Sequence, residues 1–239
     1  MSKKLFAALT KCLELTDSVN ASAKTGNGIN YTHEDAVIQI LRDSDFSEDT
    51  KENYPKLSKG LVKKWAESGN DELLVPVLEE MKKGSFIPQP SGSHGMPDLL
   101  IKDFTGQLYG WECKSGKNGT CPMWNDNLPK QNITYILMSG KRKESTVFLG
   151  KDVILDKADK FWANAGKEAD AFYKMKEKEF IALGLDKYNR GWQQKCRKQH
   201  FQSQGGRTPR GKTKIEKVNY FNHADRKQCE QNALEYAKQ

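Results

Sequence analysis

Gly95-Met96-Pro97-Asp98-Leu99-Leu100-Ile101 and, seven residues further on, Tyr109-Gly110-Trp111-Glu112-Cys113-Lys114-Ser115 form two short apolar runs that meet charge at one end. Asp98 opens the first run, and Glu112 and Lys114 close the second. Thirteen residues separate Asp98 from Glu112, enough for two short strands and a turn over 103–107, so the runs are expected to pair as a hairpin. Side chains alternate across a sheet, which sends Glu112 and Lys114 to one face and Cys113 to the other. Two carboxylates and one ammonium then converge on one point. The alternative is a surface hairpin with an exposed ion pair, worth well under ~1 kcal/mol. An apolar strand that ends in Glu and Lys in one register has little packing reason to do so, and such misfits tend to be functional.

Around this hairpin, apolar spacing predicts helices on both sides. Leu5, Phe6, Leu9 and Leu13 share the face of a first helix, and Thr32 is placed to cap a second that carries Glu34 and Asp35 in its first turn. A third is expected over 59–68, and a fourth over 71–83 with Leu74, Val77, Leu78 and Met81 inward and Gly84 closing it. Strands are expected over 85–89, 98–103, 107–114, 133–139 and 146–149, then helices over 167–183 and 224–238. The fold class expected is α/β, a central mixed β-sheet flanked by helices, in a single domain 1–239. It divides into an N-terminal helical portion (1–70), a core (71–155) and a basic helical portion (156–239).

At 239 residues, 36% hydrophobic and 29% charged with a mean hydropathy of −0.79, the composition is that of a polar chain with a large wetted surface. The longest apolar runs, such as Ile133 to Met138, are strand-length, so no membrane-spanning helix is expected. Lys11 and Glu14 interrupt the first apolar stretch, which is read as an amphipathic helix and not a secretion signal. Five scattered cysteines without a CxxC pair argue for a reducing, cytoplasmic setting.

The net charge of +8 is unevenly spread. Residues 1–150 hold 19 Lys/Arg and 19 Asp/Glu, whereas 151–239 hold 20 and 12. Between Lys187 and Lys217, ten basic residues face the single acid Glu216, with Tyr188, Trp192 and Phe201 among them. Cations interleaved with aromatics suit a surface that meets phosphates and bases. Gly205 to Gly211 holds too much Gly and Pro for regular structure and is expected to be a loop or arm. The nucleic-acid-binding candidates are Lys117, Asn118, Asn125, Asp126, Asn127 and Lys130 just past the lysine strand, and Arg197, Lys198, Arg207, Arg210 and Lys212 in the basic segment. Asn reads adenine bidentately and Asp accepts from cytosine, which suits the 125–127 loop to base readout, although an Asx-turn connector explains it equally well.

Hard oxygens from Asp98 and Glu112 suit Mg²⁺ (magnesium), which binds through one or two carboxylates plus substrate phosphate. The Cys113 carbonyl, between them, is a further candidate ligand. Lys114 is placed either to activate an attacking water, if desolvation lowers its pKa, or to steady developing negative charge. Together these roles describe phosphodiester hydrolysis.

Pro97-Asp98, thirteen residues, then Glu112-Cys113-Lys114 resembles the PD-(D/E)xK nuclease signature and, within that superfamily, a Type II restriction endonuclease. The resemblance covers about Glu72 to Leu155. It implies a restriction-endonuclease-like core and a Mg²⁺-dependent hydrolase that cuts double-stranded DNA at a short sequence, leaves 5′-phosphate ends and works as a homodimer. By position it makes Asp98, Glu112 and Lys114 catalytic, the two acids also metal ligands. Many members add a glutamate from an upstream helix; Glu34, Glu79 and Glu80 compete for that place, and Glu80 is preferred over Glu34 because it borders the core face of the expected fourth helix. A structure-specific or repair nuclease of the same fold, and a non-catalytic DNA-binding protein, are the rival readings.

Overall fold

The computed structural model describes residues 2–15, 33–92, 95–116, 129–140, 142–153, 156–184 and 219–239. Helix α1 (Lys3–Leu13) starts at Ser2, whose hydroxyl accepts the Leu5 N–H, and buries Leu5, Ala8, Leu9 and Cys12. Helix α2 (His33–Arg42) buries Ala36, Val37 and Leu41, and a two-residue strand β1 (Ser47–Glu48) follows. Ser58 caps α3 (Lys59–Ser68) and Gly69, at φ +65°, ends it. Four longer strands, β2 (Ser85–Pro88), β3 (Leu99–Lys102), β4 (Leu108–Gly116) and β5 (Ile133–Ser139), lead to β6 (Glu144–Leu149) and a short helix α4 (Gly150–Val153). Helices α5 (Asp156–Ala182) and α6 (Arg226–Tyr236) complete the described chain.

Residues 71–83 do not form the expected helix. Only Asp71–Leu73 makes a tight helical turn, and the chain then runs through irregular turns to Gly84. Pro76 is the cause: it has no N–H for the Glu72 carbonyl, and its ring disfavours helical torsions at Val75. Leu74, Leu78 and Met81 are nonetheless buried as the spacing predicts. Helix α5 begins eleven residues earlier than expected, at Asp156 and not Lys167.

The six strands lie in the order β1-β2-β3-β4-β5-β6, with β1–β2 and β4–β5 parallel and the other pairs antiparallel. This is a mixed α/β sheet with helices on both faces. One face packs on Leu5, Leu9 and Cys12 of α1, Val37 and Leu41 of α2, and Ala233 and Ala237 at the C-terminal helix. The other packs on Val62, Trp65 and Ala66 of α3, Leu74, Leu78 and Met81, and Tyr220 and Phe221. Every residue of β5 is buried, as a strand covered on both faces must be. No helix among the described residues is long and apolar enough to cross a membrane.

Candidate active site

Strands β3 and β4 pair only from Leu99 opposite Trp111 to Lys102 opposite Leu108. Beyond Trp111, β4 keeps β5 on one side through Gly116 but has no β3 residue on the other. Asp98 fills that place with its side chain: its Oδ2 accepts the Cys113 N–H at 2.7 Å. The Asp98 N–H donates to Glu112 Oε2 at 3.1 Å, and Glu112 Oε1 accepts from the Lys114 ammonium. The three residues singled out in the sequence are thus joined at one end of two adjacent strands. Glu112 and Lys114 leave the sheet on the α3 side, while the Cys113 side chain is buried among α1 and α2, as alternation predicts.

The upstream acid at this point is Glu34, not Glu80. Glu34 lies in the first turn of α2, and its charge acts on both Asp98 and Glu112. Its Oε2 accepts from Gln89 Nε2 at 3.3 Å, and the Gln89 N–H donates to the Asp98 carbonyl at 2.6 Å. Glu79 and Glu80 are exposed on the irregular segment after Pro76; their charges act on Lys102 and Tyr54 instead. Pro76 itself was the signal for demoting them, because it breaks the helix that would have carried them, whereas Glu34 keeps its place on α2. His33, which motif spacing does not single out, lies at the same place: burial first lowers its pKa, and the charge of Glu34 and the Cys113 backbone act against that.

Burial, with the negative charges of Glu112 and Glu34, pushes the Asp98 carboxyl up to about 8. Burial also raises Glu112, against the pull of Lys114. For Lys114, burial works to lower the pKa, but Glu112 and Asp98 outweigh it and the net shift is upward. The ammonium is therefore held charged, which favours the charge-steadying role over the water-activating one.

Of the nucleic-acid-binding candidates, only Lys130 lies within the described residues. Its Nζ pairs with Glu67 at 2.8 Å, and its N–H donates to the Tyr135 hydroxyl at 2.8 Å. Lys117, Asn118, Asn125, Asp126, Asn127, Arg197, Lys198, Arg207, Arg210 and Lys212 lie outside the described residues, as does Thr32. Among the described residues, no three His, Cys, Asp or Glu side chains are grouped to hold a metal ion between them. A scan of family models and searches of curated proteins and of solved structures found no match to the chain.

Proposed function

We propose that the protein is a Mg²⁺-dependent Type II restriction endonuclease with a restriction-endonuclease-like core, which hydrolyses phosphodiester bonds of double-stranded DNA at a short sequence and acts as a homodimer. The observation that carries this reading is the hydrogen-bonded set Asp98, Glu112 and Lys114, assembled where β4 outruns β3.

The donor set fits the metal. Asp98, Glu112 and the Cys113 carbonyl offer only hard oxygens, the preference of Mg²⁺ and not of zinc. Two carboxylates short of a closed cage also match an ion that keeps several waters and shares itself with substrate phosphate. Burial first, and then the charges of Glu112 and Glu34, raise the Asp98 carboxyl, so a cation beside it would favour its ionised form. Bound by these oxygens, Mg²⁺ would supply Lewis acidity and offset charge on the reacting phosphate.

The chain's own groups define the rest. The Cys113 N–H fixes Asp98, so the carboxylate is oriented before substrate arrives. Lys114, kept protonated by Glu112, presents positive charge where the phosphate oxygens gain negative charge in the transition state. Water attacks phosphorus, the bond to the 3′-oxygen breaks, that oxygen takes a proton, and the phosphate stays on the 5′ side.

Incubation with unmethylated phage DNA, with Mg²⁺ or with EDTA, tests this on an agarose gel. Discrete fragments that require Mg²⁺ are the expected result. A metal-dependent smear would transfer the chain to the structure-specific or nonspecific nucleases, and intact DNA in every lane would remove the catalytic reading.

A further inference from the structure

Helix α5 is the longest element of the fold, and among the described residues it packs closely on no other helix or strand. At 1.5 Å per residue its 27 residues reach about 40 Å. Phe161, Phe172, Met175 and, one residue past its end, Leu183 are between 48% and 74% exposed. The Leu183 N–H donates to the Glu179 carbonyl at 3.0 Å and so continues the helical turn. At about 100° per residue these four side chains fall within an arc of roughly 80°, a single stripe along the helix, with exposed Ile181 outside it. Apolar side chains gathered in an exposed stripe mark a contact surface, whereas scattered ones do not.

Charge decides what the stripe meets. Helix α5 carries six Lys and six Asp or Glu, so the basic excess of residues 151–239 lies wholly outside it. A neutral helix has no draw for DNA phosphate, nor for the stretch Lys187 to Lys217 with its ten cations and one acid. Its charges are instead complementary to their own reversal. Glu168 stands four residues before Phe172 and Lys176 four after, which puts both on the Phe172 face. When two copies lie antiparallel with Phe172 opposite Phe172, Glu168 of each comes level with Lys176 of the other, and Phe161 with Leu183. A parallel pair would set Glu168 against Glu168 and Lys176 against Lys176. Lys176 is open to exchange: its bond to Glu179, at 2.7 Å, is half exposed at both ends, and such pairs are worth little. Its ammonium lies 5.9 Å from the Phe172 ring centre, on the flank of the stripe.

We infer that α5 is the seam between two copies of this chain, which lie antiparallel about a two-fold axis at Phe172, their apolar stripes in contact and a Glu168–Lys176 ion pair on each side of the axis. The inference rests on the homodimer of the nuclease reading above and gives that dimer a surface and a register. A two-fold contact of this kind matches one patch to itself and closes at two copies.

Sedimentation velocity on the full chain, in EDTA and without DNA, across the micromolar range tests it. A monomer–dimer equilibrium is the expected result. Phe172→Glu sets like charges face to face at the axis and should raise the dissociation constant at least ~30-fold, at an unchanged melting temperature because the side chain is exposed in the single chain. Glu168→Lys or Lys176→Glu alone should raise it about fivefold, and the two together should restore it to within about twofold, since the pairs re-form with their signs exchanged. A monomer at every concentration, a dimer indifferent to Phe172→Glu, or single reversals that the double variant does not rescue would overturn the inference. A monomer that cuts DNA would overturn it and leave the nuclease reading intact; a dimer with these responses that cuts no DNA would reverse that outcome.

Discussion

Asp98 and Glu112 look alike in the sequence and differ in what their loss would cost the protein. Glu112, only 4% exposed, is the partner of the part-buried Lys114 ammonium. Its replacement by Gln takes away that ion pair and the charge that balances it, at a cost of about 1–2 kcal/mol, so lost activity would be mixed with lost stability. Asp98→Asn keeps an oxygen for the Cys113 N–H and removes only the charge. It is expected to lower DNA cleavage by at least ~10³-fold while the melting temperature stays within a degree or two, measured on the same preparation by gel assay and thermal unfolding. The Asp98, Glu112 and Lys114 set was legible because strand alternation is a strict rule and thirteen intervening residues leave room for little else. Glu34 and His33 were harder to see, since their place depends on where α2 comes to rest against β4, a long-range contact that no local spacing encodes.

Elements are held by a few decisive contacts. Arg226 fastens α6 to the sheet through Glu144, the Ser145 carbonyl and the Phe221 carbonyl, pairs with Glu230 one turn on, and lies 5.2 Å from the Phe221 ring centre. Arg226→Met is expected to destabilise the fold by about 2 kcal/mol in urea titration, because the charge-assisted bonds go, Glu230 loses its cation and Glu144 keeps only Arg142 at 3.6 Å. Gly150 and Gly60 make a contrasting pair. A Cβ on Gly150 would sit 1.9 Å from the Lys130 carbonyl, a backbone atom that cannot step aside, whereas at Gly60 nothing lies within 4 Å. Gly150→Ala should cost at least ~2 kcal/mol, and Gly60→Ala in α3 should gain about 0.5 kcal/mol, both read from denaturation midpoints. At this scale, strands and amphipathic helices were readable from period and length. The 71–83 segment was misread because Leu74, Leu78 and Met81 follow helical spacing even though Pro76 forbids the helix: burial pattern and backbone competence are separate requirements.

Over the whole molecule, charge and core are organised differently. The core draws on both ends of the chain, with α1 and α6 on one face of the sheet, while the positive excess belongs to residues 151–239. If that excess binds DNA phosphates, neutralising Arg207, Arg210 and Lys212 together should weaken binding to every sequence alike and reduce the slope of log K against log salt by about 2 to 3, as measured by anisotropy titration over a range of KCl. An unchanged slope would assign the segment to solvation alone.

The joining of both chain ends on one sheet face bears on how the protein is made. Helix α1 rests on β6 and α6, and the Ser145 hydroxyl donates to the Leu15 carbonyl across 130 residues. During translation, Leu5, Leu9 and Cys12 leave the ribosome well before β6, and until β6 follows their apolar face has only part of its seat. At about 5–20 residues per second the wait is on the order of ten seconds, long enough for a holding chaperone to engage. Nascent chains stalled near residue 140 should therefore be clipped readily within α1 by a dilute protease, and released full-length chains should resist it.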